Sequence, residues 1–184
     1  MDRPLFVLLA GPNGSGKSTL ASVIHLDGLA EKIDPDRMQG ADGALLPPLA
    51  AGREVIARTD AHIAAGRSFL LETTLSGNRE VRLVERLRAA GYCIDVYFVC
   101  LSSTEVNIQR VRLRVMKGGH DVPVEDIVRR YERSLANMRA ILPMTDRAVL
   151  FDNSGNGHRL VARYENGALE WRAKDGPGWL SRVE

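Results

Sequence analysis

The run Gly11-Pro12-Asn13-Gly14-Ser15-Gly16-Lys17-Ser18-Thr19 satisfies the pattern G-x-x-x-x-G-K-[ST] in full, and no other feature constrains the fold as tightly. Such a loop needs a strand to deliver it and a helix to receive it. Both flanks comply: Leu5–Ala10 is a continuous apolar run that reads as a buried strand, and a helix is expected from about Lys17 to Ile24. Glycines let successive backbone N–H groups converge on phosphate oxygens, and the helix N-terminus adds its dipole. Lys17 is suited to neutralising β- and γ-phosphates, and the Ser18 hydroxyl to ligating Mg²⁺. Residues 11–19 therefore read as the binding site of a nucleoside triphosphate.

Downstream, short apolar runs alternate with amphipathic stretches, the pattern of parallel strands joined by helices. Strands are expected at 32–34, 68–72, 93–101 and 148–152. Helices are expected at 49–65, with Val55, Ile56, Thr59 and Ile63 on one face, and at 80–90, through Val81, Val84 and Leu87. Ser102-x-x-Glu105 has the form of a capping box opening a helix to about Met116, striped by Thr104, Ile108, Val111 and Val115. After Gly118-Gly119-His120, Asp121 is placed to cap a further helix to about Ala140, with Ile127, Val128, Tyr131, Leu135 and Met138 as its stripe. Asn166-Gly167 sits between two short β-patterned runs, a two-residue hairpin signal. The expected architecture is α/β: a three-layer fold with a five-stranded, mostly parallel sheet, a helical lid and a C-terminal β-hairpin. Residues 1–155 would form the core, with the hairpin and tail at 156–184 appended to it.

Composition removes several function classes. The 184 residues are 45% hydrophobic and 26% charged with a net charge of +2, so no strong field marks a nucleic-acid or membrane surface. Ten aromatic residues are too few for a single-strand stacking platform. Two cysteines, Cys93 and Cys100, exclude a disulfide framework, and no run approaches a membrane span or a secretory leader, which makes a cytoplasmic location the expectation. The strand at 93–101 ends in Ser102-Ser103 rather than in acidic residues, against a motor or transporter ATPase, and no guanine-reading N-K-x-D motif is present. A small phosphotransferase is left, with hydrolysis or non-catalytic nucleotide binding as alternatives.

Three clusters fit transfer to an acceptor. Asp34-Pro35-Asp36 follows the first helix, where a carboxylate could take the proton of an acceptor hydroxyl. The residue before proline is biased to extended geometry, so Asp34 finishes the short strand and Asp36 faces the cleft as the expected base. Glu72-Thr73-Thr74 closes another strand at its carboxyl end, where ligands gather in α/β sheets. Arg110, Arg114 and Arg130 share faces around the Gly118-Gly119 hinge and could close on triphosphate charge, whereas Arg112, Arg129 and Arg133 are expected in solvent. His120 could touch phosphate. His25, His62 and His158 lack a second ligand at metal spacing and read as structural, as do Trp171 and Trp179, while Asp152 is a weaker nucleotide contact.

Taken together, Ala10–Thr19, Asp34-Pro-Asp36, Leu71-Glu-Thr-Thr-Leu-Ser-Gly77, Gly118-Gly-His-Asp-Val-Pro123 and Phe151-Asp-Asn-Ser154 resemble the zeta-toxin-like P-loop kinases over roughly residues 4–155. The resemblance implies an adenylate-kinase-like sheet, phosphorylation of UDP-N-acetylglucosamine or a related nucleotide sugar from ATP with Mg²⁺, and a possible antitoxin partner. Residue by residue, it places Lys17 and Ser18 in the nucleotide loop and Asp36 as base. It sets Glu72, Thr74 and Arg79 in the sugar-nucleotide segment, and Arg110 and the neighbourhood of Arg114 to His120 near the phosphates. The chain is shorter than the best-known zeta toxins, and Gly118-Gly119-His120 stands where they carry an arginine-bearing stretch.

Overall fold

The computed structural model describes residues 3–24, 29 and 31–184; His25 lies outside them. The chain runs β1 (Leu5–Ala10), α1 (Lys17–Ala21), β2 (Lys32–Ile33), α2 (Pro48–Ala64), β3 (Phe69–Thr73), α3 (Asn78–Ala89) and β4 (Cys93–Cys100). It continues as α4 (Thr104–Met116), α5 (Val124–Ile141), β5 (Arg147–Asp152), β6 (Arg159–Glu165) and β7 (Ala168–Arg172). Sheet order is β2-β3-β1-β4-β5-β6-β7, the first five strands parallel and the last two antiparallel. All five parallel strands consequently end at one edge, and the loops following them meet there.

The period of two along the strands divides the interior. Phe6, Leu8 and Ala10 face a large core completed by Val55 of α2, Val84 and Leu87 of α3 and Leu135 and Met138 of α5. Val7 and Leu9 face a smaller one closed by Leu20 of α1. Burying each such side chain stabilises the fold by about 1.5–3 kcal/mol. Cys100 faces the large core, where burial pushes its thiol up to about 12, and both cysteines are free. Among the described residues no helix is long and apolar enough to cross a membrane.

Asn166 and Gly167 both take positive φ, 51° and 74°, as a two-residue hairpin turn requires. The hairpin extends the same sheet. β6 pairs with β5, so the expected five strands become seven, and Trp179 from the tail is buried edge-on to Phe98. Asp152 accepts from Trp179 Nε1 at 3.1 Å and from Ser154 Oγ at 2.8 Å, a tie for the tail rather than a nucleotide contact.

Several local expectations shift. Ser103, not Ser102, is the N-cap of α4, because the Ser102 amide donates to Ser154 Oγ at 2.7 Å across the strand ends. Asp121 does not cap α5; its Oδ1 accepts from its neighbour Val122, and Pro123 holds the cap position. The α1 helix ends at Ala21 rather than Ile24. Ile56, Val115 and Val128 lie exposed, because each stripe is narrower than the apolar spacing suggests.

Candidate active site at the carboxyl edge of the sheet

A cleft of about 730 Å³ opens where the parallel strands end. Asn13, Gly14, Gly16, Lys17, Ser18 and Thr19 form its floor. Gly11 is irreplaceable by size: at φ 143°, a Cβ would lie 2.0 Å from the Val99 carbonyl oxygen. Lys17 Nζ donates to the carbonyls of Gly11 (2.8 Å) and Pro12 (3.1 Å), curling over the hollow that its loop encloses. Burial lowers its pKa, and the carboxylates of Glu72, Asp36 and Asp34 pull in the opposite direction. The ammonium is thus held among three acidic side chains in a site where charge is weakly screened.

From β2, a 3-10 turn at Pro35–Arg37 projects the two aspartates. Asp34 is extended (φ −128°), as a residue before proline should be, and its Oδ1 accepts from the Asp36 amide at 3.1 Å. Asp34 also lines the cleft but is partly buried, and burial, then Glu72, raises its carboxyl above the ordinary range against the pull of Lys32. Asp36 is exposed to the cleft. Glu72, buried at the end of β3, accepts from Ser18 Oγ at 2.8 Å and pairs with Lys32 Nζ at 2.9 Å. Beyond it, Thr73, Thr74, Ser76, Gly77, Asn78 and Arg79 continue the wall. Leu75 in this turn holds φ 54° with its side chain fully buried, a conformation that costs an L residue about 1–2 kcal/mol.

The opposite wall is basic. Arg110 and Arg114 of α4 and Arg129, Arg130 and Arg133 of α5 all line the cleft. Arg110 donates to the Asn153 carbonyl (2.6 Å), Arg114 to the His120 carbonyl (2.7 Å), and Arg130 approaches Asn13 Oδ1 (3.4 Å) and Asp126 (3.4 Å). Arg129 and Arg133 are exposed, as expected, and also border the cleft. His120 is not among the lining residues. The chain reverses at Gly118 (φ 82°) and offers Arg114 the His120 carbonyl in place of its ring.

Four residues given no active-site role by the sequence brace this arrangement. Asn107, fully buried on α4, donates to the Asn13 carbonyl (2.5 Å). Asn153 Nδ2 donates to the Ser15 carbonyl (2.7 Å), and His158 Nε2 meets the Gly16 carbonyl (3.0 Å). Asn137 of α5 donates to the carbonyls of Leu75 and Gly77, both at 3.0 Å. Each partner is a backbone carbonyl 60 or more positions away, and only Asn153, inside Asp152-Asn-Ser154, carried any advance signal.

The sequence profile of the family described as Zeta toxin matches residues 50–158, more than half of the chain and wholly downstream of the nucleotide loop. A Haemophilus influenzae protein described as uncharacterized is 33% identical over 131 residues, covering 67% of this chain and 89% of its own length. The fold is similar to a solved structure from the PezAT chromosomal toxin–antitoxin system of Streptococcus pneumoniae (TM-score 0.60, 16% identity, 100% of this chain and 77% of that one). It is also similar to the AvrRxo1-ORF1:-ORF2 complex solved with ATP, at TM-score 0.66 and 15% identity over 91% of this chain. This chain spans 60% of that second neighbour, and at such identities the two structures speak for the fold alone. With the profile matching more than half of its length, the chain belongs to the Zeta toxin family.

Proposed function

We propose that the protein is an ATP-dependent kinase that transfers the γ-phosphoryl group to a hydroxyl of a nucleotide sugar such as UDP-N-acetylglucosamine. One observation carries this reading: a single cleft brings the phosphate loop, an exposed carboxylate and arginines from two lid helices to the same strand edge. In the reaction, the acceptor oxygen forms a bond to the γ-phosphorus as its proton passes to the Asp36 carboxylate, and the bond to the β,γ-bridging oxygen breaks to release ADP. Lys17 balances charge on the β- and γ-phosphates. Glu72, Thr73, Thr74 and Arg79 form the wall that the acceptor would meet. The neighbour solved with ATP supports ATP as the donor.

A magnesium ion carried with the nucleotide fits Ser18, whose hydroxyl is already oriented by Glu72. When bound, it would neutralise phosphate charge. Residues 1–155 carry the catalytic core in this reading and 156–184 brace it. The nucleotide sugar it needs places it in the cytoplasm, and the toxin–antitoxin neighbour supports an antitoxin partner.

Incubation with ATP, Mg²⁺ and a nucleotide-sugar panel should yield, by mass spectrometry, an acceptor heavier by one phosphoryl group. Rapid ATP hydrolysis indifferent to every acceptor would favour an ATPase, and binding with no turnover a nucleotide switch. Arg110→Ala, Arg114→Ala and Arg130→Ala should each lower kcat on the order of 10²-fold, because guanidinium groups here meet charge that develops on the transferred phosphoryl. Their melting temperatures should stay within a few degrees of wild type, since none is buried in the core. A variant that unfolds while keeping full activity per folded molecule would assign that arginine to the scaffold.

A further inference from the structure

The α5 helix flanks both halves of the cleft. Arg130, Arg133 and Asn137 follow at spacings of three and four and so share one side of the helix. At one end of that side Arg130 Nη1 reaches Asn13 Oδ1 of the nucleotide loop (3.4 Å). At the other, Asn137 Nδ2 donates to the Leu75 and Gly77 carbonyls, 3.0 Å each. Those carbonyls bracket the turn after β3 that lines the cleft through Thr73, Thr74, Ser76 and Gly77.

This turn holds a conformation that its sequence does not favour. Leu75 sits at φ 54°, where an L side chain is strained, and its side chain is completely buried in the large core. Its own side-chain bonds are local: Thr73 Oγ1 accepts from the Leu75 amide (3.1 Å), and Thr74 Oγ1 meets Ser76 Oγ (2.9 Å). Neither ties the turn to the rest of the molecule. The two bonds from Asn137 do, across 62 and 60 positions of sequence.

We propose that Asn137 is a positioning residue for the acceptor side of the cleft: it holds Leu75 in the left-handed conformation and so fixes where Thr74 and its neighbours meet the acceptor, leaving nucleotide binding untouched. The catalytic part of its test rests on the kinase reading above; the structural part does not.

The test uses the full chain as wild type, Asn137→Asp and Asn137→Ala. Aspartate keeps the shape but has no N–H to donate, and alanine removes the group altogether. Losing two hydrogen bonds should speed amide exchange across residues 73–79 about tenfold or more, with β1 and β4 amides unchanged. The Kd for Mg-ATP should stay within about twofold, while KM for UDP-N-acetylglucosamine rises about tenfold and kcat falls less. Unchanged exchange at 73–79 overturns the proposal. So does a loss of ATP affinity in step with acceptor affinity, or failure of both variants to fold, either of which gives Asn137 a general structural role. Should wild type transfer nothing to UDP-N-acetylglucosamine, the substrate reading falls, and the exchange and Mg-ATP measurements still decide the role of Asn137.

Discussion

Replacing Lys17 with alanine is expected to lower kcat/KM for phosphoryl transfer by at least about 10³-fold, the loss associated with removing a preorganised charge from a transferring phosphoryl group. No neighbour can stand in. The cleft arginines come from α3, α4 and α5, none from the loop, and Lys17 is the one lysine in the loop. The fold should survive, because the ammonium makes two hydrogen bonds to its own loop and packs into no core. At about 1 kcal/mol per bond, and 2–4 °C per kcal/mol for a chain of this size, the melting temperature should fall by less than about 8 °C. A steady-state assay beside a thermal melt checks both, and wild-type turnover in the variant would remove Lys17 from the mechanism.

Asp36→Asn is expected to lower kcat by about 10²–10⁴-fold with the Kd for Mg-ATP near wild type, since asparagine keeps the shape but not the basicity. Asp34→Asn should lower it by less than about tenfold. Both border the cleft, but they differ in exposure: Asp36 is exposed, whereas Asp34 is partly buried with one oxygen bonded to the Asp36 amide. Their stability effects should differ as well. Burial and Glu72 raise the Asp34 pKa, so the folded state disfavours the ionised form, and at pH 7 that charge costs stability. As pH falls through the raised value, Asp34 takes up its proton in the folded state first and the penalty disappears. Asp34→Asn retains the accepting oxygen and removes the charge, so its melting temperature should exceed wild type at pH 7, with the gap closing toward pH 4. Reversed kinetics would move the base to Asp34, and two near-normal variants would leave Glu72 as the next candidate.

What could be read from the sequence divides by range. The phosphate loop, the strands and the Asn166-Gly167 turn depend on neighbours within a few residues, and those features appeared where expected. Asp34 took the extended backbone that Pro35 dictates. The arginines of α5 were harder. A helical wheel gives the direction of the core from Ile127, Tyr131, Leu135 and Met138, and with it the exposure of Arg129 and Arg133, but it cannot tell that this exposed flank also borders a cleft. Asn107 interrupts an apolar stripe and looks like a flaw until its bond to the Asn13 carbonyl is seen. Braces of this kind satisfy backbone groups, which look alike at every position, so the partner leaves no mark on the sequence.

The grip of Asn153 and His158 on the Ser15 and Gly16 carbonyls bears on the order in which the molecule assembles. The phosphate loop is written within nine consecutive residues, yet its shape depends on a segment that leaves the ribosome more than 130 residues later. β1 is itself a central strand and needs β3 and β4 beside it, pairings that bring together positions more than 60 apart. Contacts this distant form slowly, because the chain must close large loops before any of them is rewarded. If the kinase reading holds, nucleotide affinity is a late acquisition of the folding chain: a nascent or partly unfolded molecule would carry the whole motif without being able to hold ATP, and ATP in turn would stabilise only the finished sheet.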